Sequence, residues 1–154
     1  MNFFIPLWGY ALSGLLIFSL DRITKWLALS YLEDAYHITD LLSFDLVMNR
    51  GISWSLFHSA GNTMFIILTA MIACIIAGLL VHTIVRWHKG YMVVGEVMTL
   101  VGGLSNLVDR IVYGGVIDFI VFSFGSWSFP VFNLADCSIV IGIGIMFLSL
   151  YKNP

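Results

Sequence analysis

Charge is what this sequence has least of. Only 10% of its 154 residues are Asp, Glu, Lys or Arg, and 60% are hydrophobic. A water-soluble domain carries roughly 25% charged residues. The mean hydropathy is +0.97. A soluble fold of this length cannot hide that much apolar surface, so the excess is expected to face lipid. Other absences exclude further classes. No basic tract points to nucleic acid. Cys74 and Cys137 form no CxxC or other metal-type spacing, and no HExxH is present, so a metal site is not expected. No glycine-rich phosphate loop, internal repeat or low-complexity tract occurs. Ser55, Ser105 and Ser138 lack the His or Lys pattern of an activated nucleophile, and His37 and His58 lie on a connection.

What is present are long apolar runs. Crossing the hydrocarbon takes about 20 mostly apolar residues. Four segments qualify: 7–29, 63–85, 91–112 and 132–151. The first follows Met1-Asn2-Phe3-Phe4, which has no basic region, so it reads as a retained span and not as a cleaved leader. The expected fold is thus an α-helical membrane protein. It has four transmembrane helices, a small β-rich extracytoplasmic segment and a single domain over residues 1–154.

Arg86, His88 and Lys89 flank spans two and three, and Lys152 follows span four, which places these regions and both termini in the cytoplasm. The outside connection then carries Glu33, Asp34, Asp40 and Asp45 against Arg50. Arg22, Lys25 and Arg110 break the rule as flanks, so partners inside the protein are expected for them. The connections 37–57 and 115–132 read as short strands around turns, with Ile38-Thr39-Asp40-Leu41 as one strand-like stretch. Trp54 and Trp127 suit the membrane interface.

The intramembrane polar residues share a depth. At about 1.5 Å per residue, Asp21, Asn106, Asp109, Asn133 and Asp136 all fall in the outer third. Asp21, Thr24 and Lys25 share one helical face, and so do Asn106, Asp109 and Arg110. Glu96, Thr99, Gly103, Asn106 and Arg110 form a polar and small stripe suited to close helix packing. A charge at the bilayer centre costs about 2.5–3.5 kcal/mol, so several at one level are expected to meet each other or a wet cavity. Asp118 enters that level after Gly114-Gly115, where it is expected either to meet Asp136 or to stand as an exposed loop carboxylate. Two close carboxylates share a proton, one acting as base towards water and the other as acid. From spacing alone, an ion-coupled transporter or a scaffold whose charges only pair helices competes with an enzyme. Glu96, nearer the inner end, reads as structural.

Five ordered stretches narrow the choice. They are Asp21-Arg22-Ile23-Thr24-Lys25, Asn49-Arg50-Gly51, the run from Gly102 to Arg110, Gly115-Val116-Ile117-Asp118-Phe119 and Phe132-Asn133-Leu134-Ala135-Asp136. In these the chain resembles the lipoprotein signal peptidases, the type II signal peptidases of bacteria. The resemblance implies an intramembrane aspartic endopeptidase of the bacterial cytoplasmic membrane, without metal or cofactor and with its active site near the outer face. It implies catalysis by Asp118 and Asp136, with Asp21, Lys25, Asn49, Gly51, Asn106, Asp109, Arg110 and Asn133 supporting the site or binding substrate. The implied substrate is a prolipoprotein whose cysteine carries diacylglycerol, cut just before that cysteine. Membrane lipid is the other expected partner, and the protein is expected to be monomeric. Two departures stand out. Ser105 stands where the family usually has glycine, and 51–57 is bulkier than the family's small-residue pattern.

Overall fold

The computed structural model describes residues 6–51, 62–125 and 127–152. Trp54, Ser55, Phe57, His58 and Gly61, with the rest of 52–61, lie outside the described residues.

Four helices cover the expected spans: α1 (Leu7–Tyr31), α2 (Asn62–His88), α3 (Val94–Tyr113) and α4 (Leu134–Lys152). Among the described residues only α2 is long and apolar enough to cross a membrane by length and composition. α1 carries Asp21, Arg22 and Lys25, and α3 carries Glu96, Asp109 and Arg110. The apolar run of α4, Leu134–Ser149, is shorter. Burial is inverted relative to a soluble domain. Large apolar side chains such as Leu15, Ile75 and Phe147 are exposed, while the most deeply buried side chains include Lys25, Glu96, Asn133, Asp21, Asp109 and Asp118.

α3 is the central helix and packs against α1, α2 and α4. Its seam with α4 is built on glycine. A Cβ at Gly102 would lie 2.5 Å from the Ala135 carbonyl oxygen, and one at Gly95 would lie 2.6 Å from that of Gly142. The expected stripe serves two seams. Gly95, Thr99 and Gly102 face α4, whereas Gly103 faces Ile76 of α2. Gly102→Ala is therefore expected to push α3 off α4 and cost about 1–3 kcal/mol, by the usual penalty for overpacking. Unfolding of the detergent-solubilised variant measures this, and wild-type stability would refute the seam.

The connections form one antiparallel sheet in the order β1-β2-β3-β4, with β1 at Tyr36–His37, β2 at Leu42–Asn49, β3 at Val116–Phe124 and β4 at Trp127–Ser128. Ile38-Thr39-Asp40-Leu41 is not strand but the β1–β2 turn. The Thr39 hydroxyl accepts the Leu41 and Leu42 N–H groups at 3.2 and 3.1 Å, and this local bonding outcompetes the ladder. β2 and β3 pair with Val47 opposite Asp118, after an irregularity between Phe44 and Val47. Residues two apart on a strand share a face, so this register brings Asn49 over Asp118.

Two features then deliver the helices to the sheet. α3 ends at Gly114, whose φ of 71° is the left-handed cap that glycine adopts without strain, and β3 begins two residues later. Phe132 exchanges backbone hydrogen bonds with Ile120, at 2.8 and 3.1 Å. α4 therefore starts beside Asp118. At the opposite end of α3, Glu96 pairs with Arg86 at 2.7 Å, and Arg86 also donates to Ser149 at 2.9 Å. That pairing fits the structural reading of Glu96.

Candidate active site

Asn133, immediately before α4, organises the site. Its Oδ1 accepts the Asp136 N–H at 2.9 Å, and its own N–H donates to Asp136 Oδ2 at 3.2 Å. This is the reciprocal arrangement of a capping box, with Asp136 in the third helical position. The remaining Asn133 amide nitrogen donates to Asp118 Oδ1 at 2.6 Å. One asparagine thus caps the helix and joins both carboxylates.

Each carboxylate has a second amide donor. Asn49 Nδ2 donates to Asp118 Oδ2 at 2.9 Å, while Asn49 Oδ1 accepts the Gly51 N–H at 3.0 Å. Asn106 Nδ2 donates to Asp136 Oδ1 at 2.8 Å. Lys25 fixes which way Asn106 points, because its ammonium donates to Asn106 Oδ1 at 2.8 Å. The same ammonium pairs with Asp21 and Asp109, each at 2.8 Å. Asp21 Oδ1 accepts the Ala135 N–H at 2.8 Å, tying α1 to the first turn of α4. Asp109 Oδ2 accepts the Ile117 N–H at 3.4 Å, next to Asp118.

Arg110 leaves this ion network and donates to the Gly51 and Arg50 carbonyls. Arg50 and Arg110 stand 5.0 and 5.8 Å from the Phe65 ring at the start of α2. The ten residues singled out from sequence therefore assemble around one point, with Asp118, Asp136 and Asn133 at the centre and the other seven in two groups. Asp21, Lys25, Asn106 and Asp109 lie behind the carboxylates, whereas Asn49, Gly51 and Arg110 form the side towards β2. Thr24 does not join, since its hydroxyl bonds back to the Leu20 and Asp21 carbonyls.

Sequence reasoning missed one member and part of another. Ser105 is fully buried and donates to Asp21 Oδ2 at 2.6 Å. Arg22 was expected to have an internal partner, but that partner, Asp109 at 2.5 Å, lies 87 residues away and carries no local signal.

Asp118 and Asp136 both line a cavity of about 650 Å³. Asn49, Asn106 and Arg110 supply its polar wall, and Ile72, Val131, Ile139 and Val140 are among its apolar side chains. Burial pushes the Asp118 carboxyl up to about 7, aided by the negative charge of Asp136 and opposed by the Asn49 and Asn133 hydrogen bonds and the charge on Lys25. Asp118 therefore keeps its proton well above the usual carboxyl range, on the acid side of neutrality, beside a second carboxyl group in a cavity with apolar walls. Such a pair can activate water and polarise a carbonyl.

The family model of signal peptidase (SPase) II matches residues 14–152. A lipoprotein signal peptidase of Thermodesulfovibrio yellowstonii is 33% identical over 151 residues, covering 97% of each chain. One from Chromobacterium violaceum is 36% identical over 154 residues, covering 97% of this chain and 93% of that one. The solved structure of a bacterial membrane enzyme, obtained by the in meso method at 2.3 Å, superposes with a TM-score of 0.80 over 99% of this chain and 93% of that one. At 22% identity that likeness speaks for the fold alone.

Proposed function

The chain belongs to the signal peptidase II family, and from that membership we propose that it removes the signal peptide from diacylglyceryl-modified prolipoproteins as an intramembrane aspartic endopeptidase. The family makes it a protease of the membrane. The observation that carries the aspartic assignment is the convergence of Asp118 and Asp136 on one cavity through a shared asparagine.

In this reading Asp136 accepts a proton from water as the water oxygen attacks the scissile carbonyl. Asp118, holding the pair's one proton, donates a hydrogen bond to the carbonyl oxygen and stabilises its developing charge. The proton on Asp136 then passes to the leaving amide nitrogen, the C–N bond breaks, and the pair again holds one proton. Arg110 and Gly51 flank the cavity where the peptide backbone would lie. The acyl chains of the modified cysteine would occupy its apolar wall, at about 0.8 kcal/mol per buried methylene. Cleavage then falls just before that cysteine.

The proposed setting is the bacterial cytoplasmic membrane. All four helices span it as one domain, both termini are cytoplasmic, and the sheet lies at the outer face with Trp127 in the interface. The protein acts as a monomer. The exposed apolar side chains of α1, α2 and α4 support the spans, and the basic residues between α2 and α3 support the orientation.

The test is cleavage of a synthetic precursor peptide by the purified protein in detergent or lipid. The diacylglyceryl-modified peptide is expected to be cut before its cysteine, at least about tenfold faster than the unmodified one, with chelators without effect. Equal cleavage of both peptides would remove the lipid from recognition, and a need for added metal would overturn the chemistry.

A further inference from the structure

The Lys25 ammonium is fully committed. Its three donors go to Asp21, Asp109 and Asn106, each at 2.8 Å, and the side chain has no exposed surface. One cation thus faces two carboxylates that are 1% and 0% exposed. Left alone, that cluster would carry a net negative charge out of water, which is costly.

The compensating cation is Arg22. Its Nη1 pairs with Asp109 Oδ1 at 2.5 Å and donates to the Ser105 carbonyl and hydroxyl at 3.3 and 3.4 Å. The Ser105 hydroxyl passes its own hydrogen to Asp21. Arg22 therefore grips one carboxylate directly and the other through a serine. With Arg22 counted, two cations balance two carboxylates.

We infer that Arg22 is a positioning residue that sets the charge of this network to zero and so fixes where on the pH scale Asp118 and Asp136 share their proton. The path is short: Arg22 to Asp109, Asp109 to Lys25, and Lys25 to the Asn106 amide that holds Asp136. Asp118 already senses the charge on Lys25. Without Arg22, Lys25 answers to two unbalanced carboxylates, and less of its charge acts on the dyad.

Other charged and titratable groups face the dyad without joining this network, and of these Arg110 also acts electrostatically on Asp118 and Asp136. Arg110 of α3 is bound to the Gly51 and Arg50 carbonyls, and Arg50 beyond β2 donates to Asn62. β2 offers the neutral Asn49. Cys137 of α4 sits next to Asp136 on the cavity wall. Glu96 and Arg86 form a separate pair at the far end of α3.

This inference rests on the dyad reading above, so its primary readout is titration and not cleavage. The full chain is labelled with carboxyl-¹³C aspartate in detergent micelles, and the Asp118 signal is assigned by its loss in Asp118→Asn. Arg22→Gln is expected to raise the Asp118 midpoint by about 0.5–1 pH unit, the size of a unit charge acting through a partly screened interior. Asp109→Asn is expected to lower it similarly. The double variant Arg22→Gln/Asp109→Asn and the single Arg22→Lys both return it towards wild type. In the cleavage assay the pH limbs of kcat move in the same directions with KM little changed.

A loss of packing alone would lower activity without moving the midpoints. Coincident midpoints in wild type and Arg22→Gln, or a downward move in that variant, would overturn the inference. Should Arg22→Gln fail to fold, Asp109→Asn against the double variant reads the same sign, and equal midpoints there are equally fatal. A wild-type protein that cleaves nothing would count against the proposed function and leave these titrations standing.

Discussion

Asp136→Asn is expected to lower the cleavage rate by at least about a thousandfold, with Asp118→Asn close behind, and both proteins are expected to remain folded. The loss is chemical, because an amide cannot take the proton from water. The fold survives because the N–H of residue 136 still bonds to Asn133 Oδ1, so the start of α4 remains capped. The seam between α3 and α4 is also untouched.

The pair has a pH signature with a definite sign. Asp118 is pushed up to about 7, so it is protonated on the acid side of neutrality and loses that proton as pH rises. Cleavage that needs the proton should therefore fall on the alkaline side. The negative charge of Asp136 contributes to that upward push, so in Asp136→Asn the Asp118 midpoint should drop. Residual cleavage near the wild-type rate in Asp136→Asn would end the dyad assignment. An unmoved Asp118 midpoint would show that the carboxylates act independently.

The helices were legible because apolar runs and their lengths are local properties. All four expected segments appear as helices, each shifted or extended by a few residues. The sheet was legible as strand-like connections, but not residue by residue. Ile38-Thr39-Asp40-Leu41 looks like strand by composition, yet the Thr39 hydroxyl satisfies the backbone locally and makes it the turn. The small-residue stripe on α3 was legible as a packing face, because periodicity is local, but which neighbouring helix each residue meets was not. Only the approach of Ala135 selects Gly102.

The carboxylates and asparagines were legible as polar residues at one depth, together with the ordered motifs. Who bonds to whom was not. Asn133 caps α4 and holds Asp118 only because Phe132 pairs with Ile120 and lands the helix there. Ser105 stood out in the sequence only as a departure from glycine. Its role depends on Asp21, 84 residues earlier, pointing at it from another helix.

Lys25→Met is expected to destabilise the protein by about 3–5 kcal/mol, the usual result of leaving a buried charge without its partner. Methionine fills much of the lysine's volume, so the effect is electrical more than steric. Asp21 loses its one direct cation, whereas Asp109 keeps Arg22. Activity should fall as well, by a separate route. Asn106 loses the ammonium on Oδ1, and nothing as strong then prevents its amide from turning its oxygen towards Asp136. The two effects can be separated by adding Asp109→Asn. Arg22 and Asp21 then balance in charge, linked through Ser105, so much of the stability should return. The orientation of Asn106 is not restored, so cleavage should stay low. Chemical unfolding in detergent reads the first outcome and the peptide assay reads the second. Recovery of both together would mean that Lys25 serves only to neutralise charge, and that the Asn133 amide, which also donates to Asn106 Oδ1 at 3.2 Å, sets the direction of the Asn106 amide alone.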